Sequence, residues 1–391
     1  MDFLERKTII VHVIESLEMG GREKTVVDIA NGLDKNLFDV HIITFSNDAN
    51  TQITGLHKNV SLHEMPFKRN DLGGLSAIRF WQKGMPLYKK LLRKINPGIV
   101  HTHLLFQLFL FGSRGIKYAG IRAKHFHTVQ ISGLYFSEGG IRNKLRLWVE
   151  QKAVSLNHAY ISCVSQHALE KCTLHFNKYA SAIRLIYNSV DETKLKRFLK
   201  TEVHKGSFGL KQDDIMVTYV ARMDEGKDHI TLLKGWKEIA PLNNHVKLCL
   251  VGDGITRLVL ERYVHEHQLG QSVIFMGTLS NLQPVLSVTD IGVFTSLFEG
   301  FSIALAEKMI MGIPVVASDI PAISSLIKDN DNGFLFPPRN HQVLAQKLLL
   351  LIQNPVLRQK MGERAYQSAQ PYTLKEMIKN YTAFYGSAAT D

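Results

Sequence analysis

The chain has 391 residues, of which 45% are hydrophobic and 21% are charged, a balance typical of globular proteins with two or three domains. Three cysteines are too few for a disulfide framework, and no apolar run approaches the roughly 20 residues that a membrane span needs. The net charge of +12 is uneven, because residues 1–200 hold 29 basic and 16 acidic side chains whereas residues 201–391 hold 18 and 19.

Apolar runs alternate with helix-like segments through the first half of the chain. The helix-like spacing predicts helices at Arg22–Leu33 and Leu75–Ile95. This alternation predicts a parallel sheet covered by helices on both faces. The strands are predicted at Thr8–Ile14, Val40–Phe45, Ile99–Thr102, Arg122–Thr128 and Ala159–Val164.

The same alternation restarts after a polar, basic stretch at residues 191–209. Strands are predicted at Asp214–Val220, Val246–Val251, Val273–Met276, Ile291–Phe294 and Pro314–Ala317. Helices are predicted at His229–Ile239, Ile255–His267, Ser302–Met311, Val343–Ile352 and Leu374–Phe384.

The fold class is therefore α/β, with two doubly wound parallel-sheet domains. We expect the domains at residues 1–195 and 196–370, followed by a C-terminal helix at 371–391 that crosses back to the first. Ligands of such sheets bind beyond the carboxyl ends of the strands.

The most specific segment is SLFEGFSIALAEKMIMGIPVVASDIPA, at residues 296–322. Glu299 and Glu307 are separated by seven residues and flank the start of a predicted helix. Gly300 and the amides of Phe301, Ser302 and Ile303 would present free N–H groups there, which suits a phosphate or a sugar hydroxyl. A carboxylate accepts two hydroxyl hydrogen bonds, so Glu307 could hold a ribose diol and Glu299 a sugar.

Several further segments, together with this one, closely resemble family-four glycosyltransferases, which are retaining enzymes of the two-domain GT-B fold. The resemblance covers nearly the whole chain. It rests on Gly20-Gly21, VHTH at 100–103, HTVQ at 127–130, YNSVD at 187–191, VARMDEGKD at 220–228, LVGDG at 250–254 and NGFLFPP at 332–338.

The resemblance implies roles for residues of the second domain. Arg222 and Lys227 would neutralise the diphosphate of the donor and, with Glu299, act in catalysis. Arginine offers a planar fork to phosphate and lysine a point charge. The implied donor site is completed by residues that bind the sugar and the nucleoside, namely Gly20, Gly21, Glu299, Gly300, Phe301, Ser302, Ile303 and Glu307.

Three histidines of the first domain are also candidates. The resemblance places His127 near the reacting centre, with His125 on the same strand face as its rival. His103 is expected to contact the acceptor. His101 shares a strand face with His103, but no third ligand is evident, so no metal site is predicted.

The Asp-x-Asp sequence Asp329–Asp331 predicts a turn before a strand.

The predicted function is transfer of a hexosyl or N-acetylhexosaminyl group from a nucleotide-diphosphate sugar, a UDP-sugar rather than a GDP-sugar, without metal or cofactor. The acceptor would be a saccharide or a lipid-linked saccharide of cell-surface polysaccharide or glycolipid biosynthesis, such as lipopolysaccharide or capsule. The alternatives are a GT-B epimerase or sugar phosphorylase, and a non-catalytic nucleotide-sugar-binding assembly protein. The sequence DIPAISSLI after Ala317-Ser318 departs from the family pattern and leaves the sugar open.

The basic first half predicts a peripheral contact with an anionic membrane surface through helices near Lys83–Lys94 and Arg142–Lys152. Trp81, Tyr88 and Trp148 are the expected interfacial anchors. RNA-binding aromatic sequences are absent, so nucleic acid is not an expected partner. The opening MDFLERK does not predict a signal peptide, and we expect a protein on the cytoplasmic face of a membrane.

Overall fold

The computed structural model describes residues 7–17, 20–47, 55–72, 76–104, 106–130, 141–198 and 203–387. The chain divides into two compact units, one formed by residues 1–188 with 374–391 and the other by residues 189–373. No helix of the described ranges combines the length and the apolar composition that a bilayer span requires.

The first unit is built on a seven-stranded parallel sheet, in the order β3-β2-β1-β4-β5-β6-β7. Its strands are β1 (Thr8–Ile14), β2 (Phe38–Thr44), β3 (Ser61–Glu64), β4 (Ile99–Thr102), β5 (Lys124–Val129), β6 (Tyr160–Cys163) and β7 (Ala182–Leu185).

The second unit contains a six-stranded parallel sheet, in the order β10-β9-β8-β11-β12-β13. Its strands are β8 (Ile215–Val220), β9 (Val246–Val251), β10 (Val273–Gly277), β11 (Ile291–Phe294), β12 (Val315–Ser318) and β13 (Phe334–Phe336).

Helices connect most of these strands, as is usual for parallel pairing. The first unit contains α1 (Gly21–Gly32), α2 (Ser76–Ile95), α3 (Phe106–Ala119), α4 (Ile141–Ser155) and α5 (Gln166–Phe176). The second contains α6 (Glu192–Phe198), α7 (His229–Ile239), α8 (Arg257–Glu266), α9 (Gln283–Ser287), α10 (Ile303–Ile310), α11 (Pro321–Ser324), α12 (His341–Gln353) and α13 (Pro355–Ser368). The last helix is α14 (Leu374–Ser387).

Alternating side chains of the first sheet enter two separate cores. Val11 and Val13 of β1 pack with buried side chains of α2, α3 and α4 on one face. Ile10 and Ile14 pack with α1 and α14 on the other. The period of two along a strand explains this division, because successive side chains point to opposite faces.

The predicted fold class is confirmed, since both sheets are parallel and each alternates with helices. Two short strands at the edges of the first sheet, β3 and β7, escaped the sequence analysis. Each has only four residues, and none of them is fully buried. Edge strands face solvent on one side and need no continuous apolar run.

Candidate active site

The loops that follow β8 and β11 contain the predicted cations and the first predicted carboxylate. β8 and β11 are neighbouring parallel strands, so their carboxyl ends lie at the same edge of the sheet. The Lys227 ammonium donates a hydrogen bond to Glu299 Oε1 at 2.6 Å. The Arg222 guanidinium pairs with Asp224 at 2.7 Å, and its side chain is 78% exposed.

A buried tyrosine and two hydroxyl side chains hold this pair in place. Tyr219 Oη donates to the Lys227 carbonyl at 2.7 Å, and Thr295 Oγ1 donates to the same carbonyl at 2.9 Å. Ser296 Oγ lies 3.2 Å from Tyr219 Oη and donates to Glu299 Oε1 at 2.9 Å. The sequence analysis missed all three residues. Their signal was their position at the ends of β8 and β11, where polar side chains follow apolar runs.

Two glycines explain why these loops have their sequence. Gly252 of the LVGDG segment has φ +131°, and a Cβ there would lie 2.0 Å from the Ala221 carbonyl oxygen. A Cβ at Gly226 would lie 2.6 Å from the ring of Phe298. Only glycine permits the approach of Gly252 to that backbone oxygen, whereas the neighbour of Gly226 is an exposed side chain, so Gly252 is the glycine that the packing of the loop after β8 requires.

The segment Gly300–Ile303 leads into α10. Phe301 is buried against Tyr372, with ring centroids 5.6 Å apart. Ser302 is the N-cap of α10, and its side chain makes no capping hydrogen bond. The first amides of a helix have no partner within it. Glu307 lies one turn into α10 at a partly buried position.

An unexpected lysine follows Glu307. Lys308 is fully buried, and its ammonium has no hydrogen-bond partner among the described residues. It lies 5.1 Å from the ring centroid of Phe294, and Gly292 makes room for its stem. Burial lowers the pKa of Lys308 to about 7, although the nearby Glu307 carboxylate acts in the opposite direction.

His127 lies on β5, in register with Thr102 of β4. Its ring stacks on Phe109 with a centroid distance of 3.8 Å, and its Nδ1 lies 2.9 Å from Thr102 Oγ1. His125 Nε2 lies at the same distance from that hydroxyl. Burial lowers the pKa of each imidazole to about 3, so both are neutral at physiological pH.

His103 follows β4 and belongs to a buried histidine cluster. Its Nε2 lies 3.1 Å from His12 Nδ1, and its ring centroid lies 4.0 Å from that of His101. Burial, above all, holds the pKa of His103 well below its usual range. The expectation that no third nitrogen ligand lies beside His101 and His103 was wrong.

His12 supplies the third nitrogen, since ligand atoms of the three histidines lie within 4.8 Å of one another. Both ring nitrogens of His101, however, already have partners, Tyr385 Oη and Thr128 Oγ1, each at 2.7 Å. A metal could bind this cluster only by breaking one of these bonds.

The glycine pair opens α1, with Gly20 as the N-cap. A Cβ at Gly20 would lie 2.3 Å from a Glu23 carboxylate oxygen, so the group packed closely against this glycine is the Glu23 side chain. Arg22 pairs with Glu15 at 2.8 Å and with Glu23 at 2.9 Å. The sequence analysis missed this ion-paired cluster beside Gly21, although GREK in the sequence signalled it.

The Asp-x-Asp segment forms the predicted turn before β13. Asn330 adopts a left-handed φ of +63°, and Asp329 Oδ1 accepts a hydrogen bond from the Leu335 amide at 2.8 Å. Asp331 pairs with Arg364 at 2.6 Å. Both carboxylates therefore have partners within the fold.

Comparison with known proteins assigns each half of the chain to a glycosyltransferase model. Residues 19–194 match the model "Glycosyltransferase Family 4", and residues 200–368 match "Glycosyl transferases group 1".

Full-length relatives and a solved structure agree. N-acetyl-alpha-D-glucosaminyl L-malate synthase of Bacillus anthracis is 21% identical over 379 residues, which cover 95% of each chain. A second relative is 25% identical over 372 residues, covering 92% of this chain and 94% of the relative: N-acetylgalactosamine-N,N'-diacetylbacillosaminyl-diphospho-undecaprenol 4-alpha-N-acetylgalactosaminyltransferase of Campylobacter jejuni.

The crystal structure of Anabaena Alr3699/HepE in complex with UDP superposes with a TM-score of 0.79 at 18% identity, covering 98% of this chain and all of that one. Its match shows the fold, and the two family models and the relatives show the activity. The chain is a glycosyltransferase with the two Rossmann-like domains of the GT-B fold.

Proposed function

We propose that this glycosyltransferase transfers a hexosyl or N-acetylhexosaminyl group from a nucleoside-diphosphate sugar to a saccharide or lipid-linked acceptor, with retention of anomeric configuration. The observation that carries the proposal is the Lys227–Glu299 pair at the carboxyl edge of the second sheet, with Arg222 exposed in the same loop. A UDP-sugar donor is supported by the UDP complex of the Anabaena protein.

The diphosphate of the donor replaces a carboxylate as the partner of Lys227. In the structure, the Lys227 ammonium pairs with the Glu299 carboxylate. Arg222 pairs with Asp224 at an exposed position, and exposed pairs are worth about 1 kcal/mol or less, so its guanidinium can turn to phosphate at low cost. Donor binding would then leave the Glu299 carboxylate for sugar hydroxyls.

The nucleoside is bound by α10 and the segment before it. The Glu307 carboxylate accepts hydrogen bonds from both ribose hydroxyls. The amides of Gly300–Ile303 face oxygen atoms of the nucleotide sugar. The support is the partly buried position of Glu307 and the uncapped start of α10. Glu299 and Glu307 thereby have separate roles, one toward the sugar and the other toward the ribose.

The transfer breaks the bond between the anomeric carbon and the diphosphate oxygen and forms a bond from that carbon to the acceptor oxygen. The acceptor hydroxyl attacks on the face that the diphosphate leaves, and its proton passes to the departing phosphate oxygen. Arg222 and Lys227 stabilise the charge that develops on the leaving group, and such electrostatic stabilisation is usually the largest catalytic effect. Two cations at this position make a metal unnecessary for that step.

The first unit supplies the acceptor side. His127 is neutral, so it contributes a hydrogen bond near the reacting centre rather than a charge. His103 contacts the acceptor, and Gly20 and Gly21 approach the donor at the start of α1. The proposed class of acceptor is taken from the Campylobacter relative, whose name specifies a diphospho-undecaprenol-linked saccharide. An acceptor of this class belongs to cell-surface glycan synthesis.

The enzyme is proposed to act at an anionic membrane surface on the cytoplasmic side. The helices α2 and α4 expose Lys83, Lys90, Lys94 and Lys152. Of the expected anchors, Trp148 is 54% exposed, whereas Tyr88 is fully buried in the core, so the expectation that Tyr88 anchors the protein is wrong.

A donor screen and two substitutions test the proposal. Thermal shift with nucleoside diphosphates and their sugars should select UDP-sugars, since ligand at 100 times its Kd adds about 2.7 kcal/mol of stability. R222A and K227A should each lower the transfer rate at least ~10-fold, because each removes a charge-assisted hydrogen bond of roughly 1.5–3 kcal/mol. Lys237→Ala, an exposed lysine on α7, is the matched control. Parental rates in both variants would contradict the assignment.

A further inference from the structure

A basic groove lies between α3 and α4, on the helical layer of the first unit. It encloses about 500 Å³. Among the described residues, its lining includes no carboxylate, and it includes three cationic side chains and one histidine: Arg114, Lys117, Lys152 and His158. Trp148 forms one wall, and the Lys152 ammonium lies 5.8 Å from the centroid of its ring.

The groove is separate from the residues proposed for transfer. α3 ends at Ala119 and α4 ends at Ser155, just before β5 and β6 begin. The carboxyl-terminal turns of both helices therefore lie at the amino edge of the sheet. His127 lies toward the other edge, and a six-residue strand spans about 20 Å. An anion in the groove is thus not the reacting diphosphate.

Large apolar side chains are also exposed on the two helices that form the groove. Trp148 is 54% exposed, Leu145 is 60% exposed and Tyr118 is 49% exposed. Lys117 and Lys152 each lie in the last turn of a helix, where a cation also offsets the helix dipole. That role explains neither Arg114, one turn earlier, nor the exposed aromatic and aliphatic side chains. Basic side chains interleaved with exposed aromatic ones are typical of proteins that lie on anionic bilayers.

We propose that the groove between α3 and α4 binds the phosphate of an anionic phospholipid headgroup, while Trp148, Leu145 and Tyr118 enter the bilayer interface. Arg114 presents two N–H groups to the phosphate, and Lys117 and Lys152 add point charges. This inference rests on the membrane attachment proposed above and gives it a specific site.

The test compares two variants of equal net charge. The groove variant is R114Q/K117Q/K152Q, and the control variant is K35Q/K178Q/R184Q, which removes three exposed cations elsewhere on the same unit. Sedimentation with phosphatidylglycerol–phosphatidylcholine vesicles at low salt should show binding of the parent and the control. The groove variant should bind at least ~100-fold more weakly, since each cation near an anionic surface contributes about a fivefold factor. Pure phosphatidylcholine vesicles should bind none of the three.

Two further readouts separate the sources of phosphate. Trp148 emission should shift to shorter wavelength on the anionic vesicles and not with inorganic phosphate or polyphosphate, and W148F should lose the shift. Equal weakening of the two triple variants overturns the proposal, because binding would then follow net charge alone. The proposal is also overturned if the groove binds polyphosphate while all variants bind the vesicles equally.

The same samples keep this inference distinct from the proposed function. UDP-sugar binding, measured by thermal shift, should be unchanged in the groove variant, because its substitutions lie outside the proposed donor site. Failure of every nucleotide sugar to bind, with selective vesicle binding intact, would overturn the proposed function and leave the groove assignment standing.

Discussion

Tyr219 shows how a single hydroxyl can position two charged groups. Its Oη donates to the Lys227 carbonyl and contacts Ser296, which in turn donates to Glu299. Tyr219 itself is fully buried, and burial raises the pKa of its hydroxyl, which stays protonated. In the proposed donor site it is a positioning residue, since its hydroxyl contacts the loops that hold Lys227 and Glu299.

Tyr219→Phe should weaken UDP-sugar binding several-fold and lower the unfolding free energy by about 1 kcal/mol, the net worth of a buried hydrogen bond. Tyr381→Phe is the matched control, because Tyr381 is also fully buried and its hydroxyl contacts Thr128 and Ser162 in the first unit. Isothermal titration and chemical denaturation measure both effects. Equal donor affinities in the two variants would reduce Tyr219 to a packing residue.

Lys308 makes the stability of the second unit dependent on pH. The folded state holds its pKa at about 7, whereas the unfolded chain returns it to 10.5. Between these values the unfolded state binds the additional proton, so stability rises as pH increases from 7 to 10.5. Below pH 7 the destabilisation is complete and amounts to no more than about 5 kcal/mol.

Lys308→Met should therefore stabilise the protein at pH 7, because the substitution keeps the length of the side chain and removes the buried charge. The gain over the parent should shrink by pH 9.5, where the parental lysine is neutral in the folded state. Urea denaturation at both pH values measures the difference. A gain that is the same at both values would show that Lys308 is not the titrating group.

At the scale of elements, the proposed donor site assigns the sugar to Glu299 in the loop from β11 to α10 and the ribose to Glu307 in α10. Glu299→Gln should weaken UDP-sugar binding but leave the affinity for free UDP equal or higher, because Lys227 loses the carboxylate that competes with phosphate. Glu307→Gln should weaken binding of both ligands, since the ribose is common to them.

The control for these substitutions is Glu225→Gln, which makes the same charge change at an exposed position of the Arg222–Lys227 loop. Titrations of the parent and of each variant with UDP and with the UDP-sugar give the affinities to be compared. A parallel loss of UDP affinity in the Glu299 and Glu307 variants would contradict the division of roles.

The long, buried elements could be predicted from the sequence because they carry a complete apolar pattern. β1, β4, β9 and β11 have the predicted bounds, and α7 does as well. The edge strands β3 and β7 carry no such pattern, since their four residues are largely polar or partly exposed. Hydrophobic periodicity reflects burial, so a strand with one solvent-exposed side shows only a weak hydrophobic pattern.

Across the whole molecule, the sequence could predict residues at a characteristic interval along the chain. It could not predict residues that come into contact only in the folded structure. The interval from Glu299 to Glu307 is visible along the chain, whereas Tyr219 on β8 and Ser296 in the loop after β11 are in contact although they lie 77 positions apart. His12 escaped for the same reason, because it meets His103 only once β1 and β4 pair. Buried polar networks depend on strand order, which hydrophobic patterns leave open.

The position of α14 has a consequence for how the chain is made. Met377, Tyr381, Phe384 and Tyr385 of this helix belong to the same core as Ile10 and Val26, and they cover one face of the first sheet. A ribosome adds about 5 to 20 residues per second, so roughly 10 to 40 seconds separate the end of residues 1–188 from the synthesis of α14. Throughout that interval the first unit has an uncovered apolar face, and by its end the second unit, residues 189–373, has its full sequence. The half of the protein that is translated first is therefore the half that completes its folding last, and chaperones would meet it at that exposed face.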